Sequence, residues 1–243
     1  MVKKSKKITN ENLNVYEHLP KALIPHYINP SYNDHLFSLP FRCICVGASG
    51  SGKTQVVVNF IHRAKDTFNH IVVCCANKDE PLYNYLTLKI DPEQYHMYEG
   101  IHNIPTPEDL AEQFEKDDQI LIVFDDLVIE KKQAVIESYF IRGRKICGGI
   151  SCFYASQSYF GVPKMIRLQC SYILLKKLST QRDLKFILSD FNLGIDQKIL
   201  LQLYKYCTEE PNDFLTIAVQ DEVEKRWRKN WTEIIDMSKY TED

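Results

Sequence analysis

The chain has 243 residues, 44% hydrophobic and 26% charged, with a formal net charge of −2. This suits one sizeable soluble α/β domain with modest extensions; no apolar run approaches the ~18 residues of a bilayer span. The start lacks a signal peptide's hydrophobic segment, so a cytosolic type of protein is expected, neither secreted nor transmembrane.

Net charge hides local asymmetry. "MVKKSKK" holds four lysines in seven residues, and "KRWRKNW" (Lys225 to Trp231) alternates basic and aromatic residues. Overall charge therefore neither requires nor excludes a nucleic-acid partner. The eight cysteines form no CxxC pair and no zinc-like Cys/His spacing. Several fall in apparent strands, which reads as buried thiols in a reducing compartment.

Residues 1–35 are polar and irregular, interrupted by Pro20, Pro25 and Pro30, and are expected to form an arm packing on the domain or a neighbour. "FRCICV" from Phe41 reads as a buried strand, and "GASGSGKT" follows at once. Apolar residues at Val57, Phe60, Ile61, Ala64 and Phe68 then recur at helical spacing. "HIVVCCA" (residues 70–76) is a second strand, and residues 78–100 hold a helix and an edge strand. "TPEDLAEQF" opens a helix capped by Thr106, with Pro107 in its first turn and Asp109 three residues after the cap. "QILIVFDDL" is the third strand, followed by a helix from near Lys131 to "YFIRGRK". "GGISCFYASQ", "SYILLKK" and "DFLTIAV" complete the strands. Trp227 and Trp231, four apart, suggest one helical stripe packed on the core. Strands alternating with helices predict a mostly parallel sheet with helices on both faces.

"GASGSGKT" fits G-x-x-x-x-G-K-[ST] between a strand and a helix, as a phosphate-binding loop requires. Its residues Gly47, Ala48, Ser49, Gly50, Ser51, Gly52, Lys53 and Thr54 would turn backbone N–H groups toward the phosphates of ATP at a helix N-terminus. Lys53 would contact the β- and γ-phosphates and Thr54 would ligate Mg²⁺. "ILIVFDD" delivers acids from an apolar strand: Asp125 to hold Mg²⁺ and Asp126 to polarise the attacking water. Gln157, at the carboxyl end of the next strand, lies where open parallel sheets bind ligands. It reads as a group that hydrogen-bonds the γ-phosphate or the lytic water, or as a residue capping the loop that follows. Arg142 and Arg144 end a helix before that strand. They read equally as cations complementing the helix dipole or as a guanidinium completing an active site, often a neighbour's.

The ordered set "GASGSGKT", "ILIVFDD", "YFIRGRK" and "YASQSYFGVPKMIR" resembles the poxvirus-type genome-packaging ATPases of large DNA viruses and virophages, in the FtsK–HerA superfamily of P-loop NTPases. The resemblance spans roughly residues 37–191. It implies an additional-strand, RecA-like core, a ring homo-oligomer, and ATP-driven translocation of double-stranded DNA into a preformed capsid. It also implies an arginine finger at Arg144, with Arg142 less favoured, and a sensor at Gln157. The family segment often has histidine after the second arginine, where this chain has Lys145.

The resulting division is an arm (1–35), an ATPase domain (36–220) and a tail packing on the domain or a neighbour (221–243). Capsid proteins are expected partners, at a capsid vertex or in the host cytoplasm. Candidate DNA contacts are Lys131, Lys132, Lys164, Arg167, Arg226 and Arg228, while the N-terminal lysines suit an acidic capsid surface. Alternatives are another FtsK–HerA-type translocase, a P-loop nucleotide or nucleoside kinase, and a non-hydrolysing vertex scaffold. The intact Lys53, Thr54 and Asp125 speak against the last.

Overall fold

Strands apolar on both faces must be covered on both sides, and this requirement organises the chain. The structure, a computed structural model, describes residues 18–20, 23–128 and 133–240. The N-terminal lysines, Lys131 and Lys132 lie outside the described residues. The strands are β1 (Arg42–Val46), β2 (His70–Cys75), β3 (Tyr95–Glu99), β4 (Ile120–Asp125), β5 (Ile150–Ser156), β6 (Tyr172–Leu175), β7 (Leu215–Ala218), β8 (Trp227–Lys229) and β9 (Glu233–Ile234). The helices are α1 (Tyr32–His35), α2 (Lys53–Arg63), α3 (Pro81–Thr87), α4 (Pro107–Gln113), α5 (Ala134–Arg142), α6 (Lys164–Arg167), α7 (Arg182–Asp190) and α8 (Gln197–Cys207).

The nine strands of the described residues join one sheet in the order β3-β2-β4-β5-β1-β6-β7-β8-β9. The six from β3 to β6 run parallel, and β7, β8 and β9 are added antiparallel. Side chains alternate between two cores. Cys43, Cys45, Leu121 and Val123 face α2 and α3 with Val57, Phe60 and Tyr83. Ile44, Val46, Ile122 and Phe124 face the other layer, where Leu110, Tyr139, Ile166, Ile187 and Leu203 come from α4 to α8. The expected mostly parallel sheet with helices on both faces is the observed one.

Local rules fix the helix ends. Thr106 accepts a hydrogen bond from the Asp109 N–H (3.1 Å) and Asp109 accepts one from the Thr106 N–H (2.7 Å), the reciprocal capping box that the sequence predicts. The segment before β1 is less irregular than expected. It holds α1, whose His35 is buried, and Ile28 pairs with Gln119 through its N–H (2.6 Å) and its carbonyl (2.8 Å). Trp227 and Trp231 are not on a helix. Trp227 lies on β8 and Trp231 follows it in a turn, so strand alternation and the turn send the two rings into opposite cores. Seven of the eight free cysteines are buried; burial pushes Cys45 and Cys152 up to about 12. The described residues contain no helix long and apolar enough to cross a membrane, and no metal-binding cluster.

At the amino edge of the sheet, Gly148 donates to the Asp118 carbonyl (2.8 Å), and a Cβ on it would fall 2.2 Å from the Asp117 carbonyl oxygen. Gly148→Ala is therefore expected to destabilise by about 1–3 kcal/mol, an overpacking cost imposed by backbone. Chemical denaturation should show a lower midpoint at unchanged slope; an unchanged midpoint would refute the clash.

Candidate active site

β1 ends at Val46 and the chain turns into the glycine-rich loop. Gly47 donates its N–H to the Ser156 carbonyl (3.1 Å), and Ala48 donates to the Lys177 carbonyl (2.8 Å). The loop is thus tied to the chain on both sides of β1. A Cβ on Gly47 would sit 2.4 Å from Ser51 Oγ and 2.6 Å from Lys176 Cβ, so only glycine fits. Gly52 caps α2 at φ 88°, a left-handed conformation that glycine adopts without strain. Ser49 and Gly50 are exposed at the tip, while Ser51 Oγ is buried with no hydrogen-bond partner. Such an orphan, beside free N–H groups at the start of an 11-residue helix, fits an anionic oxygen.

Lys53 and Thr54 occupy the first turn of α2. Lys53 is buried, its Nζ donating to the Ala48 carbonyl across the loop (3.3 Å). Thr54 Oγ1 donates to Asp125 Oδ2 (3.1 Å), which brings the loop and the acidic strand end together. The same carboxylate oxygen accepts the Tyr83 hydroxyl at 2.6 Å. Burial raises the pKa of Asp125, opposed by the hydrogen bonds from Tyr83 and Thr54 and by Lys53, with Asp126 adding to the rise. A hydroxyl and a carboxylate oxygen side by side suit a hard divalent cation.

Asp126 follows in the left-handed region, φ 55°, and donates its N–H to the Ala155 carbonyl (3.3 Å). Gln157 is exposed at the end of β5, with Nε2 3.4 and 3.5 Å from the two Asp126 carboxylate oxygens. Asp125, Asp126 and Gln157 thus share the carboxyl edge with the loop.

The arginines do not. Gly143 packs against Ile150, the first residue of β5, since a Cβ on it would lie 3.3 Å from that side chain. Arg144 is therefore at the amino edge, separated from Gln157 by the length of β5, about 20 Å at ~3.3 Å per residue. Arg144 is exposed, and Arg142 pairs with Glu108 (2.9 Å) on the surface.

Two of the proposed DNA contacts have structural jobs instead. Arg167 is buried and pairs with Asp190 (2.8 Å). Arg228 is buried, pairs with Asp221 and donates to the Leu36 carbonyl (3.0 Å). Both guanidiniums are buried, that of Arg228 among its acceptors and that of Arg167 against Asp190 with its Nε unpaired, so neither presents its charge at the surface where a duplex would lie. Arg226 donates to the Leu193 (3.2 Å) and Asp221 (3.5 Å) carbonyls, and Lys164 is exposed.

Two residues at the site escaped the sequence reading. Tyr83 carried no local signal, since only the fold brings α3 over Asp125. Lys176 is 2% exposed beside Gly47 and Gly52, its Nζ donating to the Pro211 carbonyl (2.9 Å); burial lowers its pKa. Its place at the end of an apolar parallel strand was the available signal, because such ends meet at the ligand edge.

Comparison with known proteins places the chain in a family and a fold. The family model described as Poxvirus A32 protein matches residues 30–236. The DNA packaging protein OPG160 of Variola virus is 25% identical over 199 residues, covering 78% of this chain and 73% of that protein; the same figures hold for vaccinia virus strain Copenhagen. The genome packaging NTPase B204 of Sulfolobus turreted icosahedral virus 2, in complex with sulfate, superposes with a TM-score of 0.58 at 14% identity. The match covers 80% of this chain and 97% of that one. The conjugation coupling protein TcpA of pCW3, with ATPγS, gives 0.52 at 13% identity over 82% and 62%. The fold is that of the P-loop ATPases.

Because the folded pKa of Asp125 lies above the ordinary 3.8, the stability it allows is fully present below that value and falls as pH rises through the raised one. Asp125→Asn keeps an acceptor for Tyr83 and Thr54 but removes the buried charge. At pH 7 the ligand-free variant should melt at or above the wild-type temperature, with the advantage shrinking toward pH 4. Thermal melts between pH 4 and 8 check this, and a variant melting well below wild type at pH 7 would contradict it.

Proposed function

The chain belongs to the poxvirus A32 protein family, and from that premise we propose that it is the ATPase of a viral DNA-packaging motor. It hydrolyses ATP to drive double-stranded DNA into a preformed capsid. The observation that carries this reading is the meeting of the phosphate loop, Asp125 and Gln157 at one sheet edge while Arg144 stands a strand's length away.

Residues 47–54 receive the triphosphate, with backbone N–H groups and Lys53 neutralising its oxygens. Thr54 and Asp125 would hold Mg²⁺, which supplies positive charge against the phosphate chain. Tyr83 fixes the Asp125 carboxylate through its 2.6 Å hydrogen bond. Asp126 accepts a hydrogen bond from the attacking water and aims it at the terminal phosphoryl group. Gln157, beside Asp126, exchanges its contact with that carboxylate for one with the water or the phosphoryl oxygen, and so registers nucleotide state.

Arg144 cannot complete its own site, because the body of the sheet lies between them. Its role follows only if subunits pack so that the amino-edge surface of one meets the carboxyl edge of the next, as in a ring. The guanidinium would then neutralise charge on the neighbour's transferred phosphoryl group, an effect worth 10³–10⁵ in rate where such fingers operate. The amide of Gln157 ties that event to the turn that begins at Ser158. Asp183, in the first turn of α7, accepts hydrogen bonds there from Ser158 Oγ (3.2 Å) and the Phe160 N–H (3.0 Å). A vertex of the capsid, bearing capsid protein, is where such a ring would act.

Mixing two inactive variants tests this directly. Lys53→Ala should abolish hydrolysis by its own site, and Arg144→Ala should reduce it at least a hundredfold. Equimolar mixtures should recover a substantial part of wild-type activity, since Lys53→Ala subunits lend Arg144 to neighbours with intact loops. Full activity in Arg144→Ala alone, or no recovery on mixing, would refute the shared site.

A further inference from the structure

A cleft of about 220 Å³ opens beside the phosphate loop, between α2 and the β7–β8 hairpin. Its inner end is Gly52 and Gln55, the latter following Thr54 in the chain. Its far wall is Asn212, Phe214 and Trp231. β7 runs antiparallel to β6 and β8 antiparallel to β7, so the start of β7 and the end of β8 both fall at the carboxyl edge. The cleft thus continues the phosphate site sideways along that edge.

Two aromatic rings form a fixed apolar part of its wall, amid polar lining that includes Asn59, Arg63, Lys176 and Asp213. Phe214 and Trp231 are each 4% exposed and meet edge to face, with centroids 5.0 Å apart. Trp231 Nε1 donates to Asn59 Oδ1 (3.1 Å), and Asn230 ties the corner by accepting from the Phe214 N–H (3.1 Å) and donating to Asp213 (2.8 Å). Its rim is polar and uncommitted. Gln55 and Asn212 are exposed, and their carboxamides hydrogen-bond to no described residue. A carboxamide presents one donor and one acceptor side by side. Adenine offers the matching pair at N6 and N7, whereas guanine offers two acceptors at O6 and N7.

We propose that this cleft is the subsite for the purine base of the bound nucleotide, with Phe214 and Trp231 as its apolar wall and the carboxamides of Gln55 and Asn212 selecting adenine. The assignment rests on the ATP reading given above and adds which groups hold the base. The phosphates reach residues 47–54, and the nucleoside leaves past Gln55 into the cleft.

The test is equilibrium binding to the full chain, with Mg²⁺, of three probes: AMPPNP, GMPPNP and inorganic tripolyphosphate, which has phosphates and no base. Wild type should bind AMPPNP about tenfold more tightly than GMPPNP, one well-placed pair of hydrogen bonds. The double variant Gln55→Ala, Asn212→Ala, altered only at exposed side chains, should lose about tenfold in AMPPNP affinity and all preference between the bases. Its affinity for tripolyphosphate should be unchanged. Equal wild-type affinity for AMPPNP and GMPPNP overturns the proposal, as does a variant that binds AMPPNP normally or loses tripolyphosphate in the same proportion. Tripolyphosphate binding without any gain from a base would sink the subsite alone. Wild type binding none of the three would sink the ATP reading and the subsite with it.

Discussion

Parallel register in the middle of the sheet is the constraint on which everything else depends. β4 pairs with β5 so that Asp125 lies opposite Ala155, and β1 pairs with β5 so that Val46 lies opposite Ser156. Three strands running the same way and ending level deliver the phosphate loop, the acidic pair and Gln157 to one edge. A slip of one residue in either ladder would send every side chain of a strand to the wrong core. Both faces of these strands are buried, so the register that builds the core also builds the site. The interposed β5 gives Gln157 its position between the loop and the acids. The strand carrying the phosphate loop and the strand carrying the acids are not neighbours.

The same architecture separates Arg144 from the site. α5 returns antiparallel to the strands, so its end reaches the amino edge, and no rotamer spans the thickness that β5 defines. A guanidinium at that distance has either a surface role or a role on another copy. The antiparallel strands β7 to β9 make a different contribution. They extend the sheet past β6, seat Trp227 in one core and Trp231 in the other, and form the wall beside α2 that meets the phosphate loop. Arg228, enclosed with Asp221, braces this addition against the Leu36 carbonyl.

Much of this was legible in the chain because it is local. The glycine-rich loop, the apolar strands and the Thr106–Asp109 cap announce themselves through spacing and residue type within a few positions. Strand order was legible only in outline, since pairing partners are set by contacts far apart in sequence. Tyr83 could not be found from its neighbours: nothing in "PLYNYLT" indicates that one tyrosine will reach a carboxylate 42 residues away. Basic residues misled for a related reason. Arg167 and Arg228 look like any surface cation until the fold supplies Asp190 and Asp221 and closes over them. The tryptophans of "KRWRKNW" fit a helical stripe by spacing, but a strand running into a turn carries them to opposite faces.

The function proposed above requires an active site completed by two subunits and coupled to DNA. The most direct measurement is the rate of ATP hydrolysis per subunit as protein concentration is raised, with and without linear double-stranded DNA. The account predicts a rate that climbs with concentration as subunits associate and climbs further with DNA. A rate per subunit independent of both would mean that each chain works alone, and it would contradict the motor.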